Sequence, residues 1–277
     1  MGGFLAGAAG TFQWSIFFLC VLTTIFLQVL SNLANDYGDS VHGADSVDRK
    51  GPSRTVQSGA ITARAMKNAI IIFVVLSFVS GVILLFISFG LDWKAIAFFL
   101  GLGVLSILAA IAYTVGRKPY GYLGLGDISV FIFFGMVGVL GSAYLFAGSI
   151  RASDVLPAIS CGLFSVGVLN INNIRDIESD RRAGKYSVPV RIGREKAIVY
   201  HWALILTGII AAGLHTLFFF QSWWQLLFVL SVPLFLRNLK AVSSKPSHDL
   251  DPFLKQMAIT TLVFVLLFGT GLLLASS

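Results

Sequence analysis

Residues 69–91 read AIIIFVVLSFVSGVILLFISFGL, 23 consecutive positions without a single charge. About 20 apolar residues are enough to cross a bilayer as helix, because only a helix satisfies every backbone N–H and C=O within the segment. This stretch therefore reads as a membrane span. Working outward, seven more uncharged stretches qualify, at 12–34, 95–115, 128–148, 155–174, 197–220, 222–236 and 257–277. The seventh span in chain order, 222–236, is short. It is divided from the sixth only around Gln221-Ser222-Trp223-Trp224-Gln225, which reads as a tight interfacial hairpin with an aromatic belt. Residues 1–11 are apolar and glycine-rich but too short to span, and read as the stub of a further helix. With no basic residue ahead of them, they do not form a secretory signal.

Composition agrees. The 277 residues are 56% hydrophobic and 12% charged, against about 25% charged in a soluble domain. Mean hydropathy is +0.85. Disordered chains, disulfide scaffolds and water-soluble enzymes are excluded. Cys20 and Cys161 both lie in apolar runs and read as small packing residues. The expected fold is all-α: a polytopic transmembrane helical bundle of about eight full spans plus an N-terminal stub, forming one domain over residues 1–277.

The net charge of +7 would point to nucleic acid in a soluble protein. Here the bases sit in helix-connecting loops without a binding motif, so no nucleic-acid partner is expected and membrane lipids are. Every Lys and Arg except Lys94 and Arg151 falls in the loops after the first, third, fifth and seventh spans. That asymmetry places those loops in the cytoplasm. All acids except Asp92 and Asp154 lie on the same side, and most are bunched in two places.

The first bunch is Asn32-Leu33-Ala34-Asn35-Asp36-Tyr37-Gly38-Asp39, followed by Asp45 and Asp48. Continued as helix, it puts Asn32, Asn35, Asp36 and Asp39 on one face. The second is Asn172-Asn173-Ile174-Arg175-Asp176-Ile177-Glu178-Ser179-Asp180, whose spacing likewise puts Asn172, Asn173, Asp176 and Asp180 on one face. The two lie half a chain apart and each precedes a basic loop with a glycine, which reads as two pseudo-repeated halves. Carboxylates clustered at a membrane surface are tolerated when cations sit between them. Carboxylate and amide oxygens suit Mg²⁺, which takes its remaining ligands from water and phosphate. Two such clusters would hold a diphosphate between metal ions, with Arg54, Lys118, Arg175 and Lys185 completing an anion site.

At these residues the chain resembles the UbiA superfamily of intramembrane aromatic prenyltransferases. Its first motif, NDxxD, is matched by Asn35-Asp36-Tyr37-Gly38-Asp39. Its second, DxxxD before a glycine, is matched by Asp176-Ile177-Glu178-Ser179-Asp180 with Gly184. A third, Tyr-x-x-x-Lys, is approximated by Tyr113-Thr114-Val115-Gly116-Arg117, with Lys118 next. Within the superfamily, NLANDYGD, YTVGRKPYGYLGLGDIS and NINNIRDIESDRRAGK are similar to the 1,4-dihydroxy-2-naphthoate polyprenyltransferases of menaquinone synthesis. The family has nine spans.

The resemblance implies transfer of a polyprenyl group from polyprenyl diphosphate to an aromatic acceptor, 1,4-dihydroxy-2-naphthoate, with decarboxylation to demethylmenaquinol. It implies Mg²⁺ held by Asp39 and Asp176 with Asp36 and Asp180 assisting, and Asp39, Asp176 and Asp180 as the catalytic carboxylates. Asn35 and Asn173 would orient carboxylates or donate to phosphate. Arg54, Arg117, Lys118 and Lys185 would grip the diphosphate, and Tyr113 would touch it or serve as an interface tyrosine. The implied location is the cell inner (plasma) membrane, multi-pass, with the active site facing the cytoplasm. Asp127 reads as a helix N-cap, with contact to the acceptor as the sharper alternative. His201 and His215, inside an apolar span, read as packing or hydrogen-bonded residues. Two alternatives compete with this reading. One is a prenyltransferase for another acceptor such as 4-hydroxybenzoate. The other is a secondary transporter, which would need ionisable groups nearer the membrane midplane.

Overall fold

The computed structural model describes residues 1–41 and 61–276. Among them there is no strand, and eight helices are long and apolar enough to cross a membrane. A short helix α1 (Gly2–Ala8) occupies the expected stub. The spans are α2 (Trp14–Val41), α3 (Ala63–Phe89), α4 (Trp93–Ala112), α5 (Gly126–Ala147), α6 (Ala152–Arg175), α9 (Arg194–Phe218), α10 (Trp223–Ser244) and α11 (Asp251–Ser276). Two short helices, α7 (Ile177–Arg182) and α8 (Val188–Ile192), fill the loop after α6.

All eight expected spans are present, with shifted ends. Helix α2 runs past its apolar stretch to carry the first acidic cluster as helix. Helix α10 extends from the 15 expected residues to 22, because Arg237 and Lys240 continue the helix beyond the uncharged stretch. The Gln221–Gln225 hairpin is real. Gln225 Oε1 accepts from the Gln221 and Ser222 N–H groups at 2.8 and 3.4 Å, and Gln225 Nε2 donates to Phe219 O at 3.0 Å.

Local chemistry sets the other ends. Thr62 caps α3 by accepting from Ala65 N–H at 3.2 Å, and Asp92 caps α4 by accepting from Lys94 and Ala95 N–H. Between them Gly90, at φ 56°, turns the chain where a Cβ would be strained. The exposed surface of the spans is apolar: Ile71, Ile72, Val75, Phe78, Val79, Ile83 and Phe86 all stand outward on α3, as a helix bathed in lipid requires.

The chain forms two compact units. One comprises residues 13–126 and 178–187, the other residues 1–12, 127–177 and 188–277. In the first, α2, α3 and α4 pack on one another. Gly38 there allows α2 to lie on the backbone of Thr114, where an added Cβ would come within 2.5 Å of Thr114 O. In the second, α6 is the central element, packed against α5, α9 and α11. Its Gly162 meets Gly135 of α5 so closely that a Cβ on Gly135 would sit 2.7 Å from the Gly162 Cα, the close approach that small residues permit in lipid. Helix α5 runs with the wider π-type turn over Phe131–Gly141. Phe164, Phe235, Phe264 and Phe268 form an aromatic core; Phe164 and Phe235 stack with centroids 4.4 Å apart. Helix α1 docks here through Leu5 and Ala6, and Arg151 Nη2 donates to Leu5 O at 2.8 Å. His201 Nε2 and Asn238 Oδ1 are 3.1 Å apart, and Asn238 Nδ2 donates to Phe253 O, so α9, α10 and α11 are cross-linked by polar groups. His201 is thus the hydrogen-bonded core residue expected. Cys20 and Cys161 are both unbridged.

Candidate active site

The first cluster is carried by unbroken helix. Asn35, Asp36 and Asp39 lie on α2, and Asp39 is 3% exposed. A carboxylate so buried needs partners. Tyr122 supplies one: its hydroxyl donates to Asp39 Oδ1 at 2.9 Å. Thr114 fixes the residues one turn earlier, with its Oγ1 2.9 Å from Ala34 O and 3.2 Å from Asn35 Oδ1. The Asn35 amide oxygen therefore faces Thr114, and its NH₂ is the group left to offer a ligand.

Tyr122 belongs to a single turn of 3₁₀ helix, Tyr120–Leu123. That turn binds three of the motifs into one unit. Gly121 N–H donates to Tyr113 O at 3.0 Å, and the Tyr113 and Tyr120 rings meet edge-on with centroids 5.4 Å apart. Tyr122 O accepts from Tyr186 N–H at 2.9 Å, and Lys185 Nζ lies 5.9 Å from the Tyr122 ring centroid. Lys185, buried at 6% exposure, places the same Nζ 3.4 Å from Asp180 Oδ1. Asp180 is 4% exposed, and Ser187 Oγ stands 3.5 Å from its Oδ2. Gly184, at φ 71°, makes the turn that returns Lys185 N–H to Asp180 O at 2.8 Å. Asp39, Tyr122, Lys185 and Asp180 thus form one connected polar chain within the first unit. Arg117 and Lys118 are exposed beyond the end of α4.

The second cluster departs from expectation. Helix α6 stops at Arg175, Asp176 takes φ −98° and ψ 10°, and α7 starts anew at Ile177. Asn172, Asn173, Asp176 and Asp180 therefore do not line one helix face. The break coincides with the folding of the Arg175 side chain onto its neighbour. Arg175 Nε donates to Asp176 Oδ1 and Nη2 to Asp176 Oδ2, both at 2.8 Å. The same guanidinium reaches Asn172 Oδ1 at 2.8 Å and Asp251 Oδ1 at 2.5 Å. Read from sequence as an anion ligand, Arg175 is instead engaged by two carboxylates. Asn173 is 2% exposed, and its Oδ1 has no hydrogen-bond partner among the described residues.

Asp127 lies inside the first turn of α5 rather than at its N-cap. Its Oδ2 accepts from the Tyr200 hydroxyl at 2.9 Å, which ties α5 to α9. Arg54, with Asp45 and Asp48, lies outside the described residues. Tyr122, Thr114, Tyr200 and Asp251 were not picked out from the sequence. Their partners are 73 to 83 residues away, and no local spacing announces them.

Apolar spans with buried carboxylates, amides and a lysine at their ends define a multi-span membrane protein equipped to hold a charged group beside lipid. The UbiA prenyltransferase family model matches residues 1–262, and the chain belongs to that family. It is 47% identical over 274 residues to a 1,4-dihydroxy-2-naphthoate octaprenyltransferase of Haemophilus influenzae, covering 98% of this chain and 88% of that one. It is 45% identical to the protein of the same name from Escherichia coli, covering 96% and 88%. The protein of that name from Mycobacterium leprae is 32% identical over 266 residues, covering 95% and 86%. A solved structure of a digeranylgeranylglyceryl phosphate synthase shares the fold, with a TM-score of 0.61 at 20% identity, covering 98% of this chain and 91% of that one.

Proposed function

We propose that this prenyltransferase moves a polyprenyl group from polyprenyl diphosphate onto 1,4-dihydroxy-2-naphthoate with loss of carbon dioxide, giving demethylmenaquinol for menaquinone biosynthesis. The observation that carries the acceptor is identity of 45–47% along nearly the whole chain to proteins named for that substrate. The observation that supports the chemistry is the polar chain Asp39–Tyr122–Lys185–Asp180.

Magnesium suits these donors. Among the described residues no three His, Cys, Asp or Glu side chains gather as a closed metal cage. Mg²⁺ does not need one: it is commonly held by one or two carboxylates and completed by water and phosphate oxygens. Asp36, Asp39, Asp176 and Asp180 offer oxygen ligands only, and Asn173 Oδ1, without a hydrogen-bond partner among the described residues, is a further oxygen. When bound, the ion would neutralise charge developing on the diphosphate as the allylic C–O bond breaks.

The protein's own groups do the rest. Lys185, with Arg117, Lys118 and Arg54, binds the diphosphate oxygens, and the Asn35 NH₂ donates to one of them. Tyr113 would touch the diphosphate from the same motif as Arg117. Tyr122 holds the Asp39 carboxylate in one orientation. Apolar walls would keep water from the allylic cation, which the electron-rich naphthoate ring captures. Carbon dioxide leaves from the same ring carbon, and diphosphate carries away the electron pair of the broken C–O bond. Asp127, held by Tyr200, serves the acceptor side. The basic loops orient the site toward the cytoplasm at the inner (plasma) membrane.

The test is a competition between acceptors. Purified protein in detergent receives Mg²⁺, a polyprenyl diphosphate and equal amounts of 1,4-dihydroxy-2-naphthoate and 4-hydroxybenzoate, and products are read by mass. A prenylated, decarboxylated naphthoquinol is expected. A prenylated hydroxybenzoate alone would move the protein to another acceptor.

A further inference from the structure

Arg175, in the second unit, is engaged by Asp176, Asp251 and Asn172 at once. Its side chain is 4% exposed and that of Asp176 6%. The guanidinium meets both Asp176 oxygens in the two-pronged geometry that makes such pairs strong. A metal bound by those same oxygens would place two cations against each other, which is strongly unfavourable at short range. The guanidinium and a metal would therefore compete for the same two Asp176 oxygens.

The second carboxylate decides where the displaced guanidinium goes. Asp251, at the start of α11, is within 2.5 Å of Arg175 Nη1, and its side chain is 47% exposed, so it has room to follow the arginine. Asn172 Oδ1, at 2.8 Å from Nη2, adds a neutral anchor on the opposite prong. We propose that Arg175 is a resident counter-cation for Asp176 that gives way when a divalent metal arrives with diphosphate, and that Asp251 is the positioning residue that retains it. This rests on the magnesium reading above.

Exchange predicts effects of opposite sign from the two partners of one ion pair. Without Arg175, the metal loses its competitor for the two Asp176 oxygens. Without the Asp251 charge, the guanidinium keeps Asp176 as its one anionic partner beside the neutral Asn172 Oδ1, and resists displacement. The test titrates Mn²⁺, in place of Mg²⁺, into the full chain in detergent with inorganic diphosphate, and free Mn²⁺ is read by electron paramagnetic resonance. Arg175→Gln should lower the half-saturating Mn²⁺ concentration by about tenfold, and Asp251→Asn should raise it by about tenfold, the scale on which outer-shell partners tune metal affinity. Thermal melting in the same samples records folding. If Arg175→Gln does not fold, Arg175→Lys replaces it, and loss of the two-pronged grip should still tighten Mn²⁺ binding. Weakening in both variants, or no change in either, makes the pair merely structural and overturns the proposal. Failure of the unmodified protein to bind Mn²⁺ would instead remove the magnesium reading, and this proposal with it.

Discussion

The Tyr122 hydroxyl donates to Asp39 Oδ1 at 2.9 Å across 83 residues of sequence. The same residue's carbonyl accepts from Tyr186 N–H, and its ring lies beside Lys185. One aromatic residue thus connects the first acidic motif to the end of the second. Tyr122→Phe keeps the ring beside Lys185 and deletes only the hydrogen bond. A hydrogen bond to a charged group contributes about 1.5–3 kcal/mol, so kcat/KM should fall by about tenfold to a hundredfold. Steady-state kinetics with product quantified by mass checks this, with an unchanged melting temperature marking the fold as intact.

Asp39→Asn and Asp180→Asn are nearly isosteric and remove one negative charge each. Electrostatic stabilisation of a leaving group is worth about 3–4 kcal/mol per contributor, so each variant should lose about 10²–10³ in kcat. Product formation under saturating donor is the readout, and activity within a few-fold of the unmodified protein would exclude these carboxylates from the chemistry.

Lys185→Gln should act mainly on binding. The side chain keeps much of its reach and an N–H donor but loses the charge facing Asp180. KM for the polyprenyl diphosphate should rise by about tenfold or more, with a smaller change in kcat. A fall in kcat at constant KM would place Lys185 elsewhere in the reaction.

Gly38→Ala tests the seating of α2. The new methyl would fall 2.5 Å from Thr114 O and 2.6 Å from Thr114 Cβ, so the helix would have to lift away next to Asp39. Overpacking of this kind costs about 1–3 kcal/mol. Both melting temperature in detergent and activity should drop.

Asn238→Leu is the contrasting case. Asn238 links His201, Phe253 and Gln256 far along the chain from the acidic motifs. Interhelical hydrogen bonds in membranes average about 0.6 kcal/mol, so the loss should lower the melting temperature slightly and leave kcat/KM untouched.

The eight spans were legible because a bilayer demands long uncharged helices, and runs such as 69–91 meet that demand without help from tertiary contacts. The first acidic face was legible because α2 continues as helix through Asp39. The second was misread, since the i, i+4 spacing of Asn172, Asp176 and Asp180 is the same whether or not the chain turns at Asp176. Arg175 illustrates a second limit. A base beside an acid reads as an anion ligand until the Asp251 carboxylate, 76 residues on, is seen to claim it. Tyr122 and Thr114 were invisible because their roles are long-range contacts made by residues of ordinary type.

The most direct measurement of the central claim follows one reaction in three conditions: the unmodified protein with Mg²⁺, polyprenyl diphosphate and 1,4-dihydroxy-2-naphthoate, the same mixture with EDTA, and Asp39→Asn with Mg²⁺, each read by product mass. A prenylated, decarboxylated naphthoquinol in the first condition and its loss in the other two is the predicted result. The same product at undiminished yield from Asp39→Asn, or in EDTA, would contradict the assignment of this site to metal-assisted prenyl transfer.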